Sequence, residues 1–208
     1  LPIWLDLVLE DFCFTAFQST TNENRLYVGL KNGVAALTLN GASWETEYPE
    51  KNIMNEITTI AEDEKGNIWL GAKQDGIYRI DANKKKNFST ADGATLFTLY
   101  DTVSGLPTNE FNRVFRKDDK VIFGTITGFY SFDYRKNKFY SDSAISKAID
   151  GQNEKQIADF LQFNSNEYLV LNYSSEKGTT INQIKKIATG YESIYSKPYK
   201  RLYKSNIS

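Results

Sequence analysis

One short pattern recurs along this chain: three or four β-forming residues, a glycine, a short polar link, a second glycine, then alternating apolar residues. It begins Arg25-Leu26-Tyr27-Val28-Gly29 with Gly33 behind it, and Asn67-Ile68-Trp69-Leu70-Gly71 with Gly76. The third copy is Lys120-Val121-Ile122-Phe123-Gly124 with Gly128. In a fourth copy, Tyr168-Leu169-Val170-Leu171, a leucine replaces the first glycine and Gly178 stands for the second. Equivalent glycines lie 42 residues apart (Gly29 to Gly71) and then 53 (Gly71 to Gly124). A fixed period of this length makes each repeat one supersecondary unit that buries its apolar surface only by stacking on neighbours.

Each copy is preceded by another apolar segment, at 12–17, 57–61, 111–115 and 157–163. Asn-, Asp- and Gly-rich turns separate the two, which is the signal of a hairpin. The second glycine opens a third strand, at 33–39, 76–81 and 128–133, and fourth strands are expected at 44–48, 96–101, 138–141 and 192–196. Four strands per unit at this period indicate an all-β chain of β-propeller blades. The blades are expected near 8–50, 51–104, 105–150 and 151–198, with a further one starting at 199–208. Four blades leave a sheet edge at each end, so the chain is expected to be part of a larger propeller. The polar stretch 82–94, with Lys84-Lys85-Lys86, reads as a solvated loop, and 143–149 is the best helical candidate. Tyr27, Trp69 and Phe123 read as blade-to-blade packing, and the glycines as turns or close approaches.

Composition narrows the function. The 208 residues carry 25 basic and 26 acidic side chains, well mixed, so no basic field exists to bind nucleic acid. There is no histidine, which removes the commonest general base and metal ligand. The single cysteine, Cys13, excludes an internal disulfide and multi-cysteine zinc sites, and reads as a buried thiol. No apolar run reaches the roughly 20 residues of a membrane span. No catalytic residue, metal site or cofactor is expected.

The stretch from Glu56 through Asp63-Glu64-Lys65-Gly66-Asn67-Ile68-Trp69-Leu70-Gly71, then Asp75-Gly76-Ile77-Tyr78-Arg79-Ile80-Asp81, closely resembles the two-component regulator propeller repeat. Ser104-Gly105-Leu106-Pro107-Thr108-Asn109-Glu110-Phe111-Asn112 is similar to the segment that links its blades. The first copy lacks the Asp-x-x-Gly turn, and the fourth departs most. The resemblance implies the extracytoplasmic, here periplasmic, sensory region of a histidine kinase, notably of Bacteroidetes, where many such propellers recognise glycans. It implies a polar small molecule or oligosaccharide as partner. A dimerising scaffold and, behind it, a propeller lyase are the alternatives.

Ligand candidates lie on loops that lead into first strands and on loops joining second to third strands. The former offer Asn109, Glu110, Asn112 and Arg113, the latter Lys73, Gln74 and Asp75. Their mixed charges and amides suit a hydroxyl-rich or anionic ligand. Each also has a structural reading: the asparagines as turn residues, Glu110 and Arg113 as a surface pair, Asp75 as the residue before a turn glycine.

Overall fold

The computed structural model describes residues 11–49, 53–88, 96–149 and 155–198. Within them sixteen strands form four sheets, each a meander of four consecutive antiparallel strands. The first holds β1 (Cys13–Gln18), β2 (Arg25–Leu30), β3 (Gly33–Asn40) and β4 (Ser43–Glu47). The second holds β5 (Ile57–Glu62), β6 (Ile68–Ala72), β7 (Ile77–Ile80) and β8 (Phe97–Tyr100). The third holds β9 (Arg113–Lys117), β10 (Lys120–Thr125), β11 (Gly128–Asp133) and β12 (Lys138–Ser141). The fourth holds β13 (Gln156–Gln162), β14 (Glu167–Ser174), β15 (Gly178–Ile187) and β16 (Gly190–Pro198). First strands of successive sheets lie side by side, β1 with β5, β5 with β9 and β9 with β13. The expected four-stranded blades are therefore present in the expected order.

The blades stack through apolar faces. Tyr27, Val34 and Ala36 of the first meet Ile57, Ile60, Ile68 and Leu70 of the second. Trp69, Ala61 and Tyr100 of the second meet Val114, Phe123 and Phe139 of the third. The Trp69 ring stands edge-on to Phe123 and Phe132, each with centroids 5.0 Å away, an arrangement favoured by the ring quadrupoles. Phe115, Ile122 and Phe129 then meet Ile157, Phe160, Tyr168 and Val170 of the fourth.

The two repeat glycines do different work. A Cβ on Gly71 would overlap Thr59 Oγ1 and stand 2.8 Å from the carbonyl oxygen of Asn112, so a side chain there would force the second and third blades apart. Gly76 sits at φ 111°, a left-handed backbone that other residues rarely adopt. Leu171, at the first-glycine position of the last blade, is half-buried instead.

Four expectations change. Residues 82–87 form a 3-10 helix rather than a solvated loop, and Lys85 turns inward to pair with buried Glu62 at 2.7 Å. The first strand of the third blade starts at Arg113, not at 111, so Phe111 and Asn112 belong to its lead-in loop. Within the helical candidate 143–149, only Ser143–Ser146 form an α-helical turn. Cys13 is half-buried against Val28 and Leu30, between Phe12 and Phe14, which are exposed. The expected extra blade at 199–208 and the rest of the 82–94 stretch, 89–94, lie outside the described residues.

Candidate functional site

Antiparallel meanders place the lead-in loops and the second-to-third-strand loops at one end of every blade. Backbone hydrogen bonds between neighbouring blades tie these loops into one rim. Gly33 N–H donates to Asn55 O (3.0 Å), Phe111 N–H to Lys73 O (2.9 Å) and Lys155 N–H to Ile126 O (3.0 Å). All seven candidate residues stand on or just behind this rim, in two groups.

Between the first and second blades lies a cavity of about 220 Å³, lined by Lys31, Asn32, Asn55, Glu56, Lys73 and Gln74. Its polar groups mostly satisfy one another. Lys73 pairs with Glu56 at 3.1 Å. Asn55 Nδ2 donates to Asp75 (2.9 Å), and its Oδ1 accepts from the Gln74 N–H (3.3 Å). Asp75 is a turn residue at φ 68°, and with burial it helps push the Tyr78 hydroxyl up to about 12.

Between the third and fourth blades lies a cavity of about 320 Å³. Thr108, Glu110 and Phe111 line it from the lead-in loop, Thr127 from the β10–β11 loop, and Gln156 and Tyr173 from β13 and β14. Phe111 and Tyr173 are 42% and 47% exposed, high values for large rings. Phe111 also sits at φ 55°, an unusual backbone for a bulky residue, and its N–H bond to Lys73 O helps hold it there.

The other lead-in candidates serve the loop itself. Asn109 Oδ1 accepts from the Thr102 N–H (2.9 Å). Asn112 is fully buried and donates to Thr108 O (2.9 Å), while its Oδ1 finds no donor among the described residues. Arg113 does not pair with Glu110: burial lowers its pKa, and the charge that opposes this is Asp159. Of the four, only Glu110 reaches the cavity. Phe111, Gln156 and Tyr173 were not expected from sequence. Phe111 and Tyr173 were hidden inside strand patterns, and only their place at strand ends set them apart.

The opposite end of the blades is built for cohesion. Asp63 accepts from Lys65 N–H, Asn67 N–H, Asn67 Nδ2 and Trp69 Nε1 at 2.8–2.9 Å, and also from the Tyr134 hydroxyl. Burial would raise its pKa, but these donors outweigh it and hold the carboxyl below its ordinary value. Glu62, fully buried, accepts from Ser19, Thr20 and Thr21 of the first blade and from Lys85. Glu62 and Asp63 are thus internal to the fold, while the next residue, Glu64, is exposed. Among the described residues no group of three or more metal-ligating side chains converges, and no helix is long and apolar enough to cross a membrane.

The fold and rim define a propeller-blade array with its loop-borne side chains gathered at one end. The chain carries the two component regulator propeller repeat, matched over residues 53–74. The same fold appears in two crystal structures of an extracellular domain from B. thetaiotaomicron, assigned in one as a one component system and in the other as a hybrid two component system. They share 17% and 18% identity with this chain, at TM-scores of 0.63 and 0.59 over 89% and 87% of it. An auxiliary nutrient binding protein from Bacteroides thetaiotaomicron aligns over 91% of the chain at 11% identity and a TM-score of 0.56, with 43% of its own length covered. The chain spans 22% of the length of the first two. No curated protein matches it.

Proposed function

We propose that this chain is a ligand-recognising propeller segment from the extracytoplasmic, periplasmic part of a two-component signalling protein. It takes a polar small molecule or oligosaccharide at the loop-bearing rim and passes the binding event towards a kinase. The observation that supports this most is the division of labour between the two ends. At the turn end the acidic groups Glu62 and Asp63 are bound into the fold and the cavity there borders the bonded Asp63–Tyr134 pair, whereas the rim cavity is lined by exposed aromatic rings and polar side chains. Function resides in such a site rather than in the blade itself. The likeness to an extracellular domain of a signalling system and to a nutrient binding protein fits the reading, as does the propeller repeat. On this reading the chain recognises and does not catalyse, and it forms part of a larger propeller.

The test is a thermal-shift screen with polysaccharide digests, followed by calorimetry. A ligand at about 100 times its dissociation constant adds ~2.7 kcal/mol of stability. A panel with neither a shift nor a calorimetric signal overturns the binding role.

A scaffold reading has its own observation. The outer face of the fourth blade exposes Leu161 and Tyr195, on its first and last strands. If that face pairs protomers, light scattering will show a concentration-dependent dimer that Leu161→Glu abolishes. A chain that stays monomeric at every concentration removes this reading.

A further inference from the structure

Three cavities among the described residues offer a ligand different surroundings. The one at the turn end, about 330 Å³, borders Asp63 and Tyr134, which are bonded to each other. In the one between the first two blades, Lys73 and Glu56 are paired and Asn55 is bonded to Asp75, and no aromatic ring among the described residues lines it. The cavity between the third and fourth blades differs. The Glu110 carboxylate, the Gln156 amide and the Tyr173 hydroxyl have no hydrogen-bond partner among the described residues, and all three border the same space as the Phe111 ring. Its volume is at the small end of the range for ligand pockets, which bury an apolar body and fix it with a few polar groups.

Charge narrows the ligand further. Among the described residues, Glu110 is the only ionised side chain lining the cavity. The nearby lysines are engaged elsewhere, Lys155 Nζ donating to Ser146 O at 2.8 Å and Lys73 pairing with Glu56, and Arg113 does not line the cavity. An anionic ligand would meet a carboxylate with no cation to offset it. A hydroxyl-rich ring meets matched partners instead. Its hydroxyls donate to the carboxylate, its rim bonds the amide and phenol, and its C–H faces lie on aromatic rings, which combine apolar area with a polar edge.

Resting on the proposed binding role, we infer that the Phe111–Tyr173 cavity is a subsite for a single sugar ring bearing no acidic group, with Glu110 as the residue that rejects uronic acids. Glu110 accepts ring hydroxyls when the sugar is neutral and repels the carboxylate when it is not. Thr108 and Thr127 line the same space and add hydroxyls to it.

The experiment titrates the intact chain with two probes, neutral disaccharides from a xylan, mannan or β-glucan digest and the digalacturonate from polygalacturonate, by calorimetry at one pH and salt concentration. The expected result is binding of a neutral disaccharide and none of digalacturonate. Tyr173→Ala then weakens the neutral probe at least tenfold, while Lys73→Ala, at the other cavity, leaves it within twofold. Tyr173 is half exposed, so its truncation leaves the fold intact, and circular dichroism verifies this. Glu110→Gln weakens the neutral probe by on the order of tenfold, the scale of a charged hydrogen bond, and admits digalacturonate. Binding of digalacturonate in preference to every neutral probe overturns the subsite chemistry but leaves the rim as a binding site. Neutral binding that Tyr173→Ala and Glu110→Gln do not alter overturns the location. Silence from both probes overturns the subsite, and the wider panel described above then decides the binding role.

Discussion

Replacing Glu62 by glutamine separates what charge contributes to the joint between the first two blades from what packing contributes. The side chain is fully buried, and its two oxygens accept from Ser19, Thr20 and Thr21 across the blade boundary and from Lys85 Nζ at 2.7 Å. Burial alone would raise its pKa. The donors, Lys85 and Thr21 foremost, outweigh burial and hold it at about 2 rather than the ordinary 4.5. A carboxyl depressed in the fold stabilises it above the unfolded-state pKa and loses that contribution as pH falls through the folded one. The window is therefore about pH 5 down to about pH 2, and the gap corresponds to about 3 kcal/mol at neutral pH. Glutamine keeps the size but cannot be ionised, and its amide nitrogen cannot accept. In a chain of this length the loss lowers Tm by roughly 6–12 °C. Urea unfolding from pH 7 to pH 2.5, followed by tryptophan fluorescence, reads the effect directly. The wild-type and Glu62→Gln stabilities should differ by about 3 kcal/mol at pH 7 and converge as the pH approaches 2.5. Lys85→Met, which leaves the carboxylate buried without its cation, should be at least as damaging as Glu62→Gln. A difference that stays constant over this pH range would refute the electrostatic account and leave only shape.

Gly71→Ala should cost about 1–3 kcal/mol in chemical unfolding, because its methyl would meet Thr59 Oγ1 and Asn112 O across the blade boundary. Asp63→Ala leaves the Trp69 indole N–H and the Asn67 N–H without their acceptor, and should cost at least about 2 kcal/mol with a changed tryptophan emission. Phe111→Gly should leave stability within about 1 kcal/mol of wild type, since relief of the left-handed backbone offsets the lost ring. Phe111→Val at the same φ should be destabilising by about 1–2 kcal/mol, a contrast that equilibrium unfolding resolves.

The blade architecture was legible because it is periodic. Gly29, Gly71 and Gly124 recur where neighbouring blades come closest, and Tyr27, Trp69 and Phe123 recur where they stack. Such positions answer to the same physical demand in every unit, so their spacing alone reveals them. The pairing of Lys85 with Glu62 was not legible. A run of three lysines in a polar stretch looks like solvated surface, and nothing in it signals a buried carboxylate 23 residues upstream. Long-range ion pairs of this kind leave no local trace, because neither partner's neighbours in sequence are constrained by the contact.

The rim was legible but the aromatic lining of its cavity, Phe111 and Tyr173, was not, for a related reason. Asn55 and Phe111 both stand two residues before the first strand of their blades. Asn55 answers the demand of that position with bonds to Asp75 and the Gln74 N–H. Phe111 satisfies only its backbone, by its bond to Lys73 O, and turns its ring towards solvent. A repeat constrains side chains that pack between units and leaves those at the loop end to vary. The residues that depart from the pattern while their backbone keeps to it are therefore the ones a ligand can select. Phe111 and Tyr173, 62 residues apart in sequence, border one cavity only because the third and fourth blades stack. The cavity is thus a product of the packing, and a substitution between the third and fourth blades, such as Phe160→Ala, should loosen the cavity without touching it.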